Sequence, residues 1–213
     1  MIIAIDGPSG AGKSTIAKLL AKELSIDYID TGAMYRAVAV KAIRCGTDID
    51  DGAALDGLLE STDIDLESQK VLLDGEDVSG LIRTEEVSMK ASRISAIPAV
   101  RHKLVALQRE MGARKSVVMD GRDIGSNVFP GAERKFFITA SPEVRAERRL
   151  KELVERGEDA AFETVLADIE KRDWDDSNRP LNPLMQTEDA ILVETDELGI
   201  PEVLARVIGH IKQ

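Results

Sequence analysis

Cysteine, histidine and aromatic side chains are scarce in this 213-residue chain. Cys45 is the only cysteine, which excludes an intramolecular disulfide and a thiolate zinc centre. His102 and His210 are the only histidines, too few and too far apart for a His-rich metal site. Aromatics make up 3% of the residues, so a core has to be built from Ile, Leu, Val, Ala and Met. No apolar run approaches the ~20 residues of a spanning helix. The opening Met1-Ile2-Ile3-Ala4-Ile5 is too short for the core of a secretory signal, and the expected location is cytoplasmic. Positive charge is also in deficit: 28 Lys and Arg face 39 Asp and Glu, a net charge of −11. That argues against a polymeric nucleic-acid partner, which calls for a basic face, and against an anionic membrane surface. A small anionic ligand needs only a local positive pocket and stays open.

A hydrophobic fraction of 43% is ample for a folded core. No internal repeat or low-complexity segment interrupts the chain. Short apolar runs at 1–6, 26–30, 116–120, 135–139 and 191–194 read as buried strands. Segments with helical spacing lie between them: 13–24, 32–44 capped by Thr31, 84–96, 98–112, 142 to Gly157, 162–173 and 201–211. Strands alternating with helices predict an α/β fold with a central parallel sheet covered by helices on both faces. Residues 47–60 are acidic, and 61–83 reads as a small acidic β insertion of short strands and turns.

Gly7-Pro8-Ser9-Gly10-Ala11-Gly12-Lys13-Ser14 matches G-x-x-x-x-G-K-[ST], with a strand before it and a helix after it. Glycines let successive backbone N–H groups curl around phosphate oxygens, and the helix adds its positive N-terminus. Lys13 is expected at the β- and γ-phosphates and Ser14 at Mg²⁺. The loop therefore points to a nucleoside triphosphate, without separating a GTPase, an ATPase and a small-molecule kinase. No Asn-Lys-x-Asp guanine-reading segment is present. Arginine is concentrated in the second half, at Arg122, Arg134, Arg145, Arg148, Arg149, Arg156, Arg172 and Arg179. Bringing two phosphorylated substrates together calls for such offsetting charge.

Residues 6–15, 30–36, the Asp120-Gly121-Arg122-Asp123-Ile124-Gly125 segment and 172–179, in this order, resemble bacterial cytidylate (CMP) kinase, a P-loop nucleoside monophosphate kinase. The resemblance covers essentially the whole chain. One departure is Ser14-Thr15, where relatives often carry Gly after the lysine; a hydroxyl stays within reach of Mg²⁺. The resemblance implies transfer of the γ-phosphoryl group of ATP to CMP, and to dCMP, with Mg²⁺. It implies ATP contacts from Gly7, Pro8, Ser9, Gly10, Ala11, Gly12, Lys13, Ser14 and Thr15, and from the lid arginines Arg148 and Arg149. It places the acceptor phosphate on Thr31, Arg36, Arg122 and Arg179, where guanidinium forks suit phosphate oxygens. Cytosine falls to Ser92, Arg101 and Asp123, the carboxylate accepting from the exocyclic amine, and the sugar to Arg172 and Asp176. The i, i+4 spacing of Arg172 and Asp176 equally suits a surface ion pair. Lys13, Arg122, Arg148 and Arg179 are the implied catalytic groups. Ser14 and Asp120, the latter through water, are the implied metal contacts.

The expected organisation is one kinase domain over 1–213. It comprises a core at about 1–30, 97–144 and 180–213, an acceptor-binding insertion at about 31–96, and a helical lid at about 145–179. ATP and CMP or dCMP are the expected partners of a monomeric enzyme. Kinases acting on UMP, AMP or shikimate are the nearest alternatives, and a nucleotide-gated binding module is the alternative of another class.

Overall fold

The computed structural model describes residues 1–67 and 70–211. Along the chain the elements are β1 (Ile2–Asp6), α1 (Lys13–Leu24), β2 (Asp27–Asp30), α2 (Thr31–Arg44), α3 (Gly52–Glu60), β3 (Ile64–Glu67), β4 (Lys70–Leu73), β5 (Glu76–Asp77) and α4 (Glu85–Ile94). They continue with α5 (Pro98–Arg114), β6 (Val117–Gly121), a π-helical turn (Ile124–Val128), β7 (Arg134–Thr139), α6 (Pro142–Glu155), α7 (Phe162–Asn178), β8 (Ile191–Glu194) and α8 (Ile200–Ile211). Ser68 and Gln69, inside the expected β insertion, lie outside the described residues.

The chain forms two compact units: Met1–Tyr28 with the chain from Lys115 onward, and Ile29–Arg114. In the larger unit β1 pairs in parallel with β6 and β7, and β7 with β8; the full sheet order is β2-β6-β1-β7-β8. The central strands β1, β6 and β7 are rich in apolar residues because helices cover the sheet, so Ile3, Ile5, Val118, Phe136 and Ile138 join one core with α1 and α8. The register sets Asp6 level with Gly121 and with Phe137. The turn after β1 and the segment after β6 therefore emerge side by side at the carboxyl edge, where open α/β sheets hold ligands.

The smaller unit has its own core of α2, α3, α4, α5 and the antiparallel sheet β3-β4-β5. Four findings correct the sequence expectations. Asp30, not Thr31, caps α2, because its carboxylate accepts the Ala33 N–H at 2.8 Å and also binds Arg36. The acidic stretch contains helix α3, capped by Asp51 through the Ala53 and Ala54 N–H groups, with Leu55, Leu58 and Leu59 inward. Helix α7 runs on to Asn178 instead of stopping at 173. Finally, α5 belongs with residues 29–114 and not with the expected core segment 97–144, since Val100 and Leu104 are fully buried in the smaller unit's core.

Candidate active site

The turn after β1 is left-handed at Gly7, Gly10 and Gly12, with φ of 144°, 77° and 87°. At Gly7 the need for glycine is steric as well: a Cβ would lie 2.0 Å from the Ile138 carbonyl oxygen of the neighbouring strand. Lys13 is buried, and its Nζ donates to the Pro8 carbonyl at 2.7 Å. Burial, with the Arg122 charge second, lowers its pKa to about 7; Asp120, Asp176 and Asp6 act against this. The Ser14 hydroxyl donates to Asp120 Oδ2 at 2.8 Å, and the Tyr28 hydroxyl to Oδ1 at 2.7 Å. Asp120 is thus a buried carboxylate fixed beside the loop hydroxyl.

Asp6, the last residue of β1, accepts the Ile124 and Gly125 N–H groups at 2.8 and 2.7 Å. Burial raises its pKa to about 6, against the two N–H bonds. A Cβ at Gly125 would meet Lys135 Cδ at 3.1 Å and Asp6 Oδ2 at 3.3 Å, so glycine lets the turn close onto Asp6. This clamp aims the two residues before it. Arg122 Nε donates to Asp176 Oδ2 at 2.7 Å. Arg179 donates to Asp123 Oδ1 at 3.0 Å, and Asn127 Nδ2 to Asp123 Oδ2 at 2.9 Å. Burial pushes the Asp176 carboxyl up, but the Arg122, Arg172 and Arg179 charges hold it below its ordinary value.

Helices α6 and α7 pack on each other through Ala146, Val165 and Ile169. Arg145 is buried, with its guanidinium on Asp173 and on the Ser9 and Ala140 carbonyls. Arg148 donates to the Thr195 hydroxyl and carbonyl at 3.1 and 2.6 Å. Arg149 pairs with Glu152 at the surface.

Within the smaller unit, Thr31 is buried at the start of α2. Arg36 Nη2 donates to both carboxylate oxygens of Asp30, at 3.1 and 3.3 Å, and the absence of a side chain at Gly32 leaves room for that guanidinium. Arg101 is among the largest fully buried side chains; its guanidinium donates to the Ser95 carbonyl and lies over the Tyr35 ring. Ser92 is half-buried on α4.

A family model described as cytidylate kinase matches residues 3–213. The chain belongs to the cytidylate kinase family. It is 47% identical over 211 residues to a cytidylate kinase of Clostridioides difficile, covering 99% of this chain and 98% of that one. It is 50% identical over 212 residues to a cytidylate kinase of Carboxydothermus hydrogenoformans, covering 98% and 96%. The fold is similar to that of a solved gluconokinase from Sinorhizobium meliloti, with a TM-score of 0.51 at 15% identity, covering 99% of this chain and 94% of that one.

For a cytidylate kinase family member, the expected site residues fall into three groups. Lys13, Ser14, Asp120, Arg122, Asp123, Arg172, Asp176 and Arg179 all lie in the larger unit, where β1 and β6 end side by side and α7 supplies the last of them. Thr31, Arg36, Ser92 and Arg101 lie in the smaller unit. Arg148 is held by the end of β8 and Arg149 by its own helix. Asp176 pairs with Arg122 and also feels the charge of Arg172, four residues before it on α7. Sequence reading gave Asp6, Gly125 and Arg145 no specific task. Their signal was present as an Asp directly before the loop, a Gly two residues beyond Asp123, and an Arg one helical turn before Arg148 and Arg149.

Proposed function

We propose that this member of the cytidylate kinase family transfers the γ-phosphoryl group of ATP to CMP, giving ADP and CDP, with dCMP as a second acceptor. The observation that carries this is the emergence of the phosphate loop and the Asp120–Gly125 segment on neighbouring strands, in a chain of that family. A phosphate oxygen of CMP forms the new bond to the γ-phosphorus while the bond to the bridging oxygen breaks and ADP leaves. No covalent enzyme intermediate is needed, so catalysis is positioning plus charge stabilisation.

Residues 7–15 cradle the donor phosphates through backbone N–H groups, and Lys13 offsets the charge on the transferring group. A triphosphate beside Lys13 restores the ammonium form that burial disfavours. Arg148 and Arg149 are assigned to the donor. Arg122 and Arg179, pre-oriented by Asp176 and Asp123, are assigned to the acceptor phosphate along with Thr31 and Arg36. Asp123, Ser92 and Arg101 are assigned to cytosine, and Arg172 and Asp176 to the sugar. Among the described residues no group of three or more His, Cys, Asp or Glu is arranged for a metal. The hydroxyl–carboxylate pair of Ser14 and Asp120 nevertheless fits Mg²⁺, a hard ion that takes one or two protein oxygens and completes its shell with phosphates and water. Bound there, Mg²⁺ would draw negative charge from the β- and γ-phosphates.

No described helix is long and apolar enough to cross a membrane. We assign the enzyme to the cytoplasm as a monomer acting on nucleotides. The deciding experiment is a coupled ADP-release assay with ATP and Mg²⁺ against CMP, dCMP, UMP, AMP, GMP and shikimate in parallel. Fastest turnover with CMP and dCMP is expected. Preference for another acceptor would remove Ser92, Arg101 and Asp123 as cytosine readers. Acceptor-independent hydrolysis alone would favour a nucleotide-gated module.

A further inference from the structure

We infer that Arg145 is a positioning residue that couples the phosphate loop to helix α7, so that filling the donor site improves the acceptor site. The inference rests on the cytidylate kinase reading for what the two sites hold. Arg145 spreads its hydrogen bonds over three separate segments. Nε donates to the Ala140 carbonyl just beyond β7 at 2.9 Å. Nη1 donates to the Ser9 carbonyl at 3.1 Å and to Asp173 Oδ1 at 3.0 Å, and Nη2 to Asp173 Oδ2 at 2.5 Å.

A buried arginine is a costly way merely to attach a helix to a sheet, since apolar side chains of similar volume do so as well or better. What the guanidinium adds is direction. The Ser9–Gly10 peptide is planar and trans, so its C=O and N–H point opposite ways. Holding the Ser9 oxygen toward Arg145 aims the Gly10 N–H away from it, as a phosphate-cradling loop requires. Glycine at position 10 is what admits the arginine so close: a Cβ there would stand 3.2 Å from Arg145 Cβ. At its other end the fork grips Asp173, three residues before Asp176, which in turn holds Arg122. The line therefore runs from the loop carbonyl through Arg145 to Asp173, along one turn of the α7 backbone to Asp176, and from there to an arginine assigned to the acceptor phosphate. The coupling has to be reciprocal, because binding linkage is.

Trp174, the sole tryptophan, follows Asp173 on α7 and is 67% exposed, which makes its emission a reporter at the right place. The test titrates CMP into the full-length protein with and without a saturating β,γ-methylene analogue of ATP and Mg²⁺, by calorimetry and by Trp174 fluorescence. In the natural protein the analogue should tighten CMP about 5-fold or more. In Arg145→Lys, which keeps the charge but loses the fork, and in Asp173→Asn the factor should fall toward unity. The double variant should fall no further. If Arg145→Lys does not fold, Asp173→Asn decides alone. Weakened binding of both nucleotides with the coupling factor intact would make Arg145 a structural tie only and overturn the inference. A natural protein that binds CMP equally well with and without the analogue would overturn it too. Failure of the natural protein to bind CMP at all would instead remove the cytidylate reading, and this inference with it.

Discussion

Asp123→Asn separates two tasks of one carboxylate: holding Arg179, which the structure shows, and reading cytosine, which we propose. Asp123 is buried and already accepts from Arg179 at 3.0 Å and from Asn127 at 2.9 Å. A carboxylate offers about four lone-pair sites and no donor, so it can accept from a cytosine amine where an amide in its place presents an N–H2 group. Asparagine keeps one oxygen for Arg179 but turns the other position into a donor facing Asn127. Neutralising one member of a buried ion pair costs about 3 kcal/mol. At roughly 2–4 °C per kcal/mol for a chain this long, Tm should fall by about 6–12 °C. The loss through a misplaced Arg179 is common to every acceptor, because every acceptor carries the same phosphate. Only the amine contact belongs to cytosine, and a hydrogen bond to a charged group contributes about 1.5–3 kcal/mol. The ratio of kcat/KM for CMP to that for UMP should therefore drop at least about tenfold, on top of a shared decline. Steady-state kinetics with both acceptors, on protein shown to be folded at the assay temperature, gives that ratio. An unchanged ratio with both values reduced would refute base reading by Asp123 and leave it as the counter-ion of Arg179.

Three further outcomes are expected. Gly7→Ala should lose about 3 kcal/mol or more of stability in urea unfolding, because a Cβ at 2.0 Å from a backbone oxygen forces apart two central strands. Asp6 has a pKa raised from 3.8 to about 6, so its ionisation opposes folding: its contribution is full below pH 4 and is lost as pH rises through 6, by about 3 kcal/mol. The stability difference between Asp6→Asn and the natural protein should thus move in the variant's favour between pH 4 and 7, and an urea midpoint difference independent of pH would contradict this. Ser14→Ala should raise the Mg²⁺ concentration needed for half-maximal turnover at least several-fold, while EDTA stops turnover of the natural protein without moving its Tm.

The parallel sheet was legible because its strands are continuous apolar runs, and the phosphate loop because glycine spacing encodes backbone shape directly. Boundaries were harder wherever polar residues carried the local structure. Asp51 and the Leu55, Leu58, Leu59 spacing marked a helix, but the surrounding carboxylates resembled loop. The helix expected over 162–173 runs on through three crowded aspartates to Asn178, and Arg145 and Arg122 draw Asp173 and Asp176 into ion pairs. Arg101 was legible only through the family resemblance, and its burial against Tyr35 depends on packing within the smaller unit that sequence spacing does not specify. The Arg122–Asp176 and Arg179–Asp123 pairs span 54 and 56 residues along the chain, beyond the reach of any local pattern.

The larger unit is discontinuous, and this gives the chain an order of assembly during synthesis. All of residues 29–114, with their own apolar core, are made before either neighbour of β1 exists. β1 can pair only once β6 and β7 have been translated, more than a hundred residues later. At about 5–20 residues per second, the strand Ile2-Ile3-Ala4-Ile5 waits on the order of ten seconds as an unpaired apolar segment. The sequence that carries the phosphate loop is thus translated well before its sheet neighbours but completes its fold late, and its exposure is greatest while the ribosome is still at work.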